Sequence, residues 1–186
     1  VSQRFQERLH GHPWFELRAI AGSESTAGKK LSNLEWRLES PKPDLPELLV
    51  IGLESHVLVE EFLHAKVDIV FSALPAEVAR LIEPKLSDAG FQVFSNASAF
   101  RCLDGVPLVI ADLNPHHLSH WNNSAVGTLA CSTNCTVVPV ALPLKPIWDM
   151  VGFHSLKVRT EQALSGGGWG LLFNEDALAG SVNPLI

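Results

Sequence analysis

Six short apolar runs, rich in β-branched residues, recur along the chain with more polar segments between them. They are ELRAIA (16–21), LLVIGL (48–53), VDIVFSAL (67–74), FQVFSN (91–96), PLVIAD (107–112) and VGTLAC (126–131). Short, continuous apolar runs are typical of strands that are buried on both faces of a parallel sheet. We therefore predict a strand at each of these six positions.

Helices are predicted between the strands, over residues 2–10, 56–63, 76–88 and 115–121. In the third, Val78, Leu81 and Ile82 have the i, i+3, i+4 spacing of one helix face. Pro84 should kink this helix or end it early, because proline lacks the backbone N–H that continues the hydrogen-bonding pattern. Alternation of strands and helices predicts an α/β fold with a doubly wound parallel sheet.

The pattern changes after Cys135. TVVPVALPLKPIWDM (136–150) predicts a buried helix, with Pro139 in its first turn and Pro143 in its interior, where proline should bend the helix or cost about 3 kcal/mol. SLKVRTEQAL (155–164) then predicts a strand that leads into the glycine-rich SGGGWG. We divide the chain accordingly into a Rossmann-like domain, 1–131, and the incomplete start of an α+β catalytic and dimerisation domain, 132–186.

Composition narrows the class of protein. The 186 residues are 46% hydrophobic, enough for a sizeable core, and the net charge is −6 without any basic block, which argues against nucleic acid as a partner. No apolar run approaches the roughly 20 residues of a membrane span, so no membrane partner is expected. Three cysteines are an odd number in a chain too large to need disulfides, which predicts reduced thiols and a cytoplasmic location.

Two of the cysteines lie four residues apart in LACSTNCTVVPV (129–140). Cys135 stands between a predicted strand and a predicted helix, where unpaired backbone N–H groups favour a thiolate. Cys131 at the strand end and Cys102 in a turn are interpreted as incidental small thiols. The histidines of HHLSH (116–120) are interpreted as a solvated helix face, and we predict no metal site.

Several stretches together resemble the aspartate-semialdehyde dehydrogenases, in particular their archaeal and fungal-like branch. They occur in the order of that family and cover nearly the whole chain: RFQERLHGHPWFEL, SESTAGKK, VDIVFSALPAEVA, FQVFSNASAFR, PLVIADLNPHHL, STNCTVVPVALPLKPI and TEQALSGGGWG. The resemblance implies an NADP-dependent, reversible conversion of aspartate semialdehyde and phosphate to aspartyl phosphate, on the route to lysine, threonine and methionine. Two alternatives stay open: an enzyme that reduces malonyl-CoA, and a non-catalytic remnant that binds a nucleotide or a partner subunit.

The resemblance also implies roles for individual residues. Cys135 matches the nucleophile, Asn134 an oxyanion-stabilising amide, and Gln162 a substrate-orienting amide. Arg101 matches a group that grips phosphate or carboxylate, and Asp112 stands where the family prefers glutamate. The family usually reads N-P-N-C-S-T where this chain reads S-T-N-C-T-V, so the turn before the nucleophile differs.

NADP is the cofactor that the resemblance implies, with NAD possible. Ser23 and Thr26 offer hydroxyls to a 2′-phosphate, and Lys29 offers a positive charge, although Ser25 holds a position where the family often has arginine. The remaining residues expected to contact the cofactor are Ser72, Ala73, Leu74, Pro75, Asn96, Ser98, Ser165 and Gly166.

Two parts of the family pattern are missing from these residues. The first strand of the sheet and its G-x-x-G-x-V-G loop would precede Val1, and their absence should leave the edges of the neighbouring strands exposed. A histidine that serves as the base lies, in the family, in a segment resembling R-V-P-V-x-x-G-H, which this sequence lacks. We therefore expect this chain alone to be inactive, and a dimer or tetramer only for the full-length family.

Overall fold

The computed structural model of the chain describes residues 1–123, 128–161, 163–167 and 169–180. These residues form two compact units, Val1–Pro146 and Ile147–Ile186, which are described separately below. The predicted boundary after residue 131 separates proposed functions rather than compact units, and it stays a prediction.

The first unit contains all six predicted strands, in shortened form. They are β1 (Ile20–Gly22), β2 (Val50–Gly52), β3 (Ile69–Ser72), β4 (Gln92–Ser95), β5 (Leu108–Val109) and β6 (Thr128–Ser132). Residues 126 and 127 of the last apolar run lie outside the described residues. Every pairing between these strands is parallel, which confirms the predicted α/β class.

Helices precede, connect or follow these strands. They are α1 (Ser2–Leu9), α2 (Ser55–His64), α3 (Ala76–Asp88) and α4 (Val137–Val151), with 3₁₀ turns at Leu31–Asn33 and Pro115–Asn123. The predicted helix over 115–121 is thus a 3₁₀ helix. The bounds of α3 match the prediction, and the helix passes through Pro84 instead of ending there. Burial of Ala79, Ile82 and Leu86 offsets the hydrogen bond that the proline removes.

The core of the first unit lies between the sheet and helices α2 and α3. Its buried apolar side chains are Leu58, Phe62, Ile82, Leu86, Phe91 and Val93. The rings of Phe62 and Phe91 meet edge to face, with centroids 5.9 Å apart. This packing fixes α3 against the sheet, and α3 carries the buried carboxylate discussed below.

A gap divides the strands into two sheets. β1 pairs with β2, and the other four strands form a separate sheet in the order β3-β4-β6-β5. A cavity of about 780 Å³ is lined by β1 on one side and β3 on the other, with Phe5, Gln6 and Leu9 of α1 also in its wall. Among the described residues, the facing edges of β1 and β3 have no strand partner.

Two predictions for the C-terminal part are wrong. Helix α4 forms as predicted and continues through Pro143 and Pro146, but none of its side chains is buried. The strand predicted over 155–164 does not form in its described residues, which are irregular up to a 3₁₀ turn at Leu164–Gly167. A strand needs a neighbour and a buried helix needs a covering layer, and the described residues offer neither at these positions.

The second unit is otherwise built from short helices. Beyond the end of α4 and the Leu164–Gly167 turn, these are α5 (Trp169–Leu172) and α6 (Glu175–Leu178). Asn174 caps α6 by accepting a hydrogen bond from the Ala177 N–H at 2.8 Å. Within the described part of the chain, no helix is long and apolar enough to cross a membrane.

Candidate active site

The carboxyl ends of three adjacent parallel strands form one edge of the larger sheet. Ser72 ends β3 opposite Ser95, which ends β4, and Ser95 lies opposite Cys131 of β6. Ligands of open α/β sheets bind outside this edge, because the loops that follow the strands converge there. The predicted site residues of the first unit can therefore be located relative to this edge.

Cys135 lies in a tight turn between β6 and α4, and its side chain is exposed. The side-chain oxygen of Asn134 organises this turn. It accepts hydrogen bonds from the Thr136 N–H at 2.9 Å, the Thr136 hydroxyl at 2.7 Å and the Cys135 thiol at 3.6 Å. The Asn134 carbonyl accepts the Val137 N–H at 3.0 Å, which starts the helix. Sequence reasoning missed the role of Thr136, although Asn-x-Thr is a signal for such a side-chain turn.

Arg101 joins the loop after β4 to the end of β6. Its Nε donates to the Ser132 carbonyl at 3.0 Å, and one Nη donates to the Asn96 carbonyl at 2.9 Å. The Ser132 hydroxyl closes the group by donating to Asn96 Oδ1 at 2.6 Å. We call Arg101, Asn96 and Ser132 the arginine clamp; it ends three residues before Cys135. A guanidinium has five N–H donors, so the two bonds to backbone carbonyls leave donors for an anion.

Cys131 differs sharply from Cys135. It is only 2% exposed, and burial, followed by the negative charge of Glu83, raises the pKa of its thiol to about 11. Arg101 acts in the opposite direction, with a smaller effect on that pKa. At neutral pH the Cys131 thiol is therefore protonated and shielded from solvent, as predicted. The side chain of Cys102 is exposed.

The loop after β1 carries the residues predicted to read the ribose. The hydroxyls of Ser23 and Ser25 lie 2.9 Å apart, and the Thr26 hydroxyl donates to the Ser23 carbonyl at 2.9 Å. Lys29 is exposed in the same loop. Sequence reasoning missed Gly22, where a Cβ would collide with the Thr26 hydroxyl and approach Val50 Cγ1 to 3.0 Å.

The other predicted cofactor contacts of the first unit follow β3 and β4. The Ser72 hydroxyl is directed inward and donates to Glu83 at 2.6 Å, so only the residues that follow it face outward as a loop. Ala73, Leu74 and Pro75 connect β3 to α3, and Leu74 packs against the core. Ser98 is exposed beyond β4, and Asp112 is exposed in the turn beyond β5.

Three predicted residues belong to the second unit. Gln162 lies outside the described residues. Ser165 and Gly166 are exposed in the Leu164–Gly167 turn, where the Gly166 N–H donates to the Ala163 carbonyl at 3.0 Å. Their roles stay predictions.

In the HHLSH segment, His117 Nδ1 lies 3.0 Å from Asn114 Nδ2. The rings of His116 and His117 meet edge to face with centroids 4.7 Å apart, and the side chain of His120 lies outside the described part. No group of three or more His, Cys, Asp or Glu side chains placed to hold a metal ion occurs among the described residues.

Comparison with known proteins relates this geometry to a family. The family model described as "Semialdehyde dehydrogenase, NAD binding domain" matches residues 1–121. Aspartate-semialdehyde dehydrogenase from Archaeoglobus fulgidus is 40% identical over 91% of this chain, and that from Saccharomyces cerevisiae is 32% identical over the same share. The alignments cover 49% and 48% of those two proteins, so the chain spans about half the length of the curated relatives it matches.

Solved structures agree with the sequence comparison. The crystal structure of aspartate semialdehyde dehydrogenase with NADP from Candida albicans superposes with a TM-score of 0.69 at 32% identity, over 81% of this chain and 44% of that one. Aspartate semialdehyde dehydrogenase II from Vibrio cholerae gives a TM-score of 0.70 at 26% identity, over 98% of this chain and 50% of that one. With its parallel sheet, its exposed cysteine turn and a family match over residues 1–121, the chain belongs to the semialdehyde dehydrogenase family.

Proposed function

We propose that this chain is the cofactor-binding half, together with the nucleophile turn, of an NADP-dependent aspartate-semialdehyde dehydrogenase. The reaction is the reversible conversion of aspartate semialdehyde and phosphate to aspartyl phosphate, in the synthesis of lysine, threonine and methionine. One observation supports it above others: Cys135 presents an exposed thiol at the start of α4, beside the carboxyl edge of a parallel sheet.

The residues of the first unit fit NADP. The loop after β1 gathers the hydroxyls of Ser23 and Ser25, Thr26 supports the loop, and the exposed Lys29 adds a positive charge for a 2′-phosphate. Asn96 and Ser98 follow β4 at the same edge of the sheet at which Ala73–Pro75 follow β3. When bound, NADP supplies the hydride acceptor for aldehyde oxidation.

Cys135 performs the covalent step in this proposal. Its sulfur forms a bond to the aldehyde carbon, the π pair of the carbonyl moves to oxygen, and the thiol proton leaves to a base. The resemblance assigns that base to a histidine in a segment that this sequence does not contain. Once oxidation has produced the thioester, an oxygen of phosphate adds to its carbon, and the C–S bond breaks with its electron pair returning to sulfur.

Asn134 and Arg101 support this chemistry in different ways. Asn134 accepts from the Cys135 thiol and from Thr136, which holds the sulfur at the outer side of the turn. Arg101 is anchored at two backbone carbonyls, so its remaining N–H donors are directed by a fixed guanidinium plane toward a carboxylate or phosphate. Gln162 and Asp112 complete the proposed substrate contacts.

Association and location are part of the proposal. Ile147, Trp148, Met150 and Val151 are exposed apolar side chains at the end of α4, which supports a dimer or tetramer of the full-length protein. All three cysteines are free thiols, which supports a cytoplasmic location.

The test is an activity assay of the full-length protein with a matched substitution. With aspartate semialdehyde and NADP, sustained turnover to NADPH should require phosphate, and trapping of the product with hydroxylamine should yield the aspartyl hydroxamate. C135S should reduce kcat by at least about 10³-fold, since a serine cannot form the thioester, whereas C102S should retain activity. Multiple turnovers at the same rate with and without phosphate, or malonyl-CoA as the preferred acyl substrate, would contradict the assignment.

A further inference from the structure

A carboxylate lies fully buried beneath the candidate site. Glu83, on α3, is 0% exposed. Its Oε1 accepts two hydrogen bonds, from the Ser72 hydroxyl at 2.6 Å and from the Ser95 hydroxyl at 2.8 Å. Its Oε2 is buried and has no hydrogen-bond partner among the residues that the structure describes. A buried carboxylate with an unpaired oxygen lowers stability, so packing alone gives no reason for it.

The two serines that Glu83 binds occupy equivalent positions. Ser72 is the last residue of β3, Ser95 is the last residue of β4, and the two lie opposite each other in the sheet. The loops that follow them, at 73–75 and 96–98, are the two segments proposed to face the cofactor. One carboxylate oxygen therefore joins the starting points of both loops.

The link continues into the second loop through hydrogen bonds. The Ala97 N–H donates to Ser95 Oγ at 3.1 Å, so the Ser95 hydroxyl donates to Glu83 and accepts from the backbone two residues later. Between them, the Asn96 N–H donates to the Ser72 carbonyl at 2.9 Å. The direction in which Glu83 holds the Ser95 hydroxyl thus sets the path of residues 95–97.

Asn96 then connects this path to the nucleophile turn. Its carbonyl accepts from Arg101, and its Oδ1 accepts from the Ser132 hydroxyl, which completes the arginine clamp three residues before Cys135. Every step from Glu83 to the clamp is a hydrogen bond of 3.1 Å or less or a single peptide unit. A change at Glu83 should therefore reach the loops without contact between Glu83 and any ligand.

We propose that Glu83 is a positioning residue: through Ser72 and Ser95 it sets the two cofactor-facing loops and holds Asn96 in the arginine clamp. This inference rests on the proposed function for its effect on NADP binding. Its structural part, the ordering of residues 95–97, is independent of any ligand and can be measured separately.

The variants separate positioning from stability. E83Q keeps an oxygen that can accept hydrogen bonds from both serines, and E83L removes that oxygen. S95A removes the hydroxyl that joins Glu83 to the Ala97 N–H. L86A is the control, since Leu86 is buried in the same helix and packs in the core, and its side chain makes no hydrogen bond to either serine. Two quantities are measured on the full-length protein: the dissociation constant for NADP, and the amide exchange rate of Ala97 divided by that of Val93, which is buried within β4 and reports opening of the whole sheet.

E83L and S95A should raise the Ala97 to Val93 exchange ratio about tenfold and weaken NADP binding about tenfold, as expected for loss of a hydrogen bond to a charged group. E83Q should restore both quantities to within about threefold of the wild-type values. L86A should accelerate both amides together and leave the ratio unchanged. If E83L does not fold, the ratio in E83M decides, since methionine is close to glutamate in length and has no oxygen that can accept from the serines.

The contrary results are equally definite. A wild-type exchange ratio in E83L or S95A, or an equal rise in L86A, would show that Glu83 has only a structural role. If the wild-type full-length protein binds no NADP while the ratio responds as expected, the cofactor assignment fails and the ordering of the loop by Glu83 stands.

Discussion

Two thiols four residues apart have opposite environments in this protein. Cys131 is buried at the end of β6 beside the negative charge of Glu83, whereas Cys135 is exposed in the turn that precedes α4. The reactive form of cysteine is the thiolate, so burial and a neighbouring negative charge suppress reactivity at Cys131. At the scale of single residues, environment rather than residue type distinguishes the proposed nucleophile, Cys135, from the buried thiol of Cys131.

Alkylation with iodoacetamide should reveal this difference. Near neutral pH, Cys135 and the exposed Cys102 should be modified and Cys131 should not. Because the pKa of Cys131 is raised to about 11, its thiol stays protonated below that value, and its modification should become appreciable only as the pH approaches 11. Mass spectrometry of the separate peptides gives the three rates, and denaturant should bring Cys131 to the rate of Cys102. Rapid modification of Cys131 in the folded chain at neutral pH would contradict its assigned burial.

At the scale of elements, the sequence predicted the strands of the parallel sheets and helix α3, but it did not predict the irregular 155–164 segment or the role of Glu83. The short apolar runs located every strand of the described residues. The bounds of α3 were predicted correctly because its apolar residues recur at the spacing of one helix face. The prediction of a strand over 155–164 was wrong. The alternation of apolar and polar residues does not show whether a neighbouring strand is available to pair with it. Glu83 was missed for a similar reason: within α3 it reads as a polar surface position, and only the register of β3 and β4 shows that two serines converge on it.

The strand-end glycines permit a matched test of the loop after β1. In G22A the new methyl group would displace the Thr26 hydroxyl from the Ser23 carbonyl, so we expect a loss of about 1–3 kcal/mol in unfolding free energy and weaker NADP binding. Gly52 ends the neighbouring strand β2, and a Cβ there would meet Glu54 Oε2 at an ordinary 3.4 Å. G52A should therefore change both quantities much less. Urea unfolding and NADP titration give the comparison, and equal effects of the two substitutions would refute the role of Gly22.

At the scale of the whole molecule, a gap between β1 and β3 separates the strands into two sheets. The cavity of about 780 Å³ is lined by residues of both strands, whose facing edges have no strand partner within the described residues. Parallel sheets of this class are buried and continuous, so an interrupted sheet should open more readily. We predict that a further strand occupies this gap in the full-length protein.

Hydrogen exchange can locate that strand. In the present chain, the amides of Ile69–Ser72 that face the gap should exchange much faster than those that face β4, in alternation along the strand. In the full-length protein both sets should be protected, because a central strand would pair with the free edge of β3. Fast exchange of the same amides in the full-length protein would show that the gap is not filled by a strand.

The central claim is that Cys135 forms the acyl intermediate of an NADP-dependent dehydrogenase, and one measurement tests it most directly. Full-length protein is mixed with aspartate semialdehyde and NADP in the absence of phosphate, NADPH is followed by absorbance, and the acid-quenched protein is digested and analysed by mass spectrometry. The account predicts a burst of about one NADPH per subunit and an aspartyl adduct on the peptide that contains Cys135, both absent in C135S. A burst without that adduct, or an adduct on Cys102 or Cys131, would contradict it.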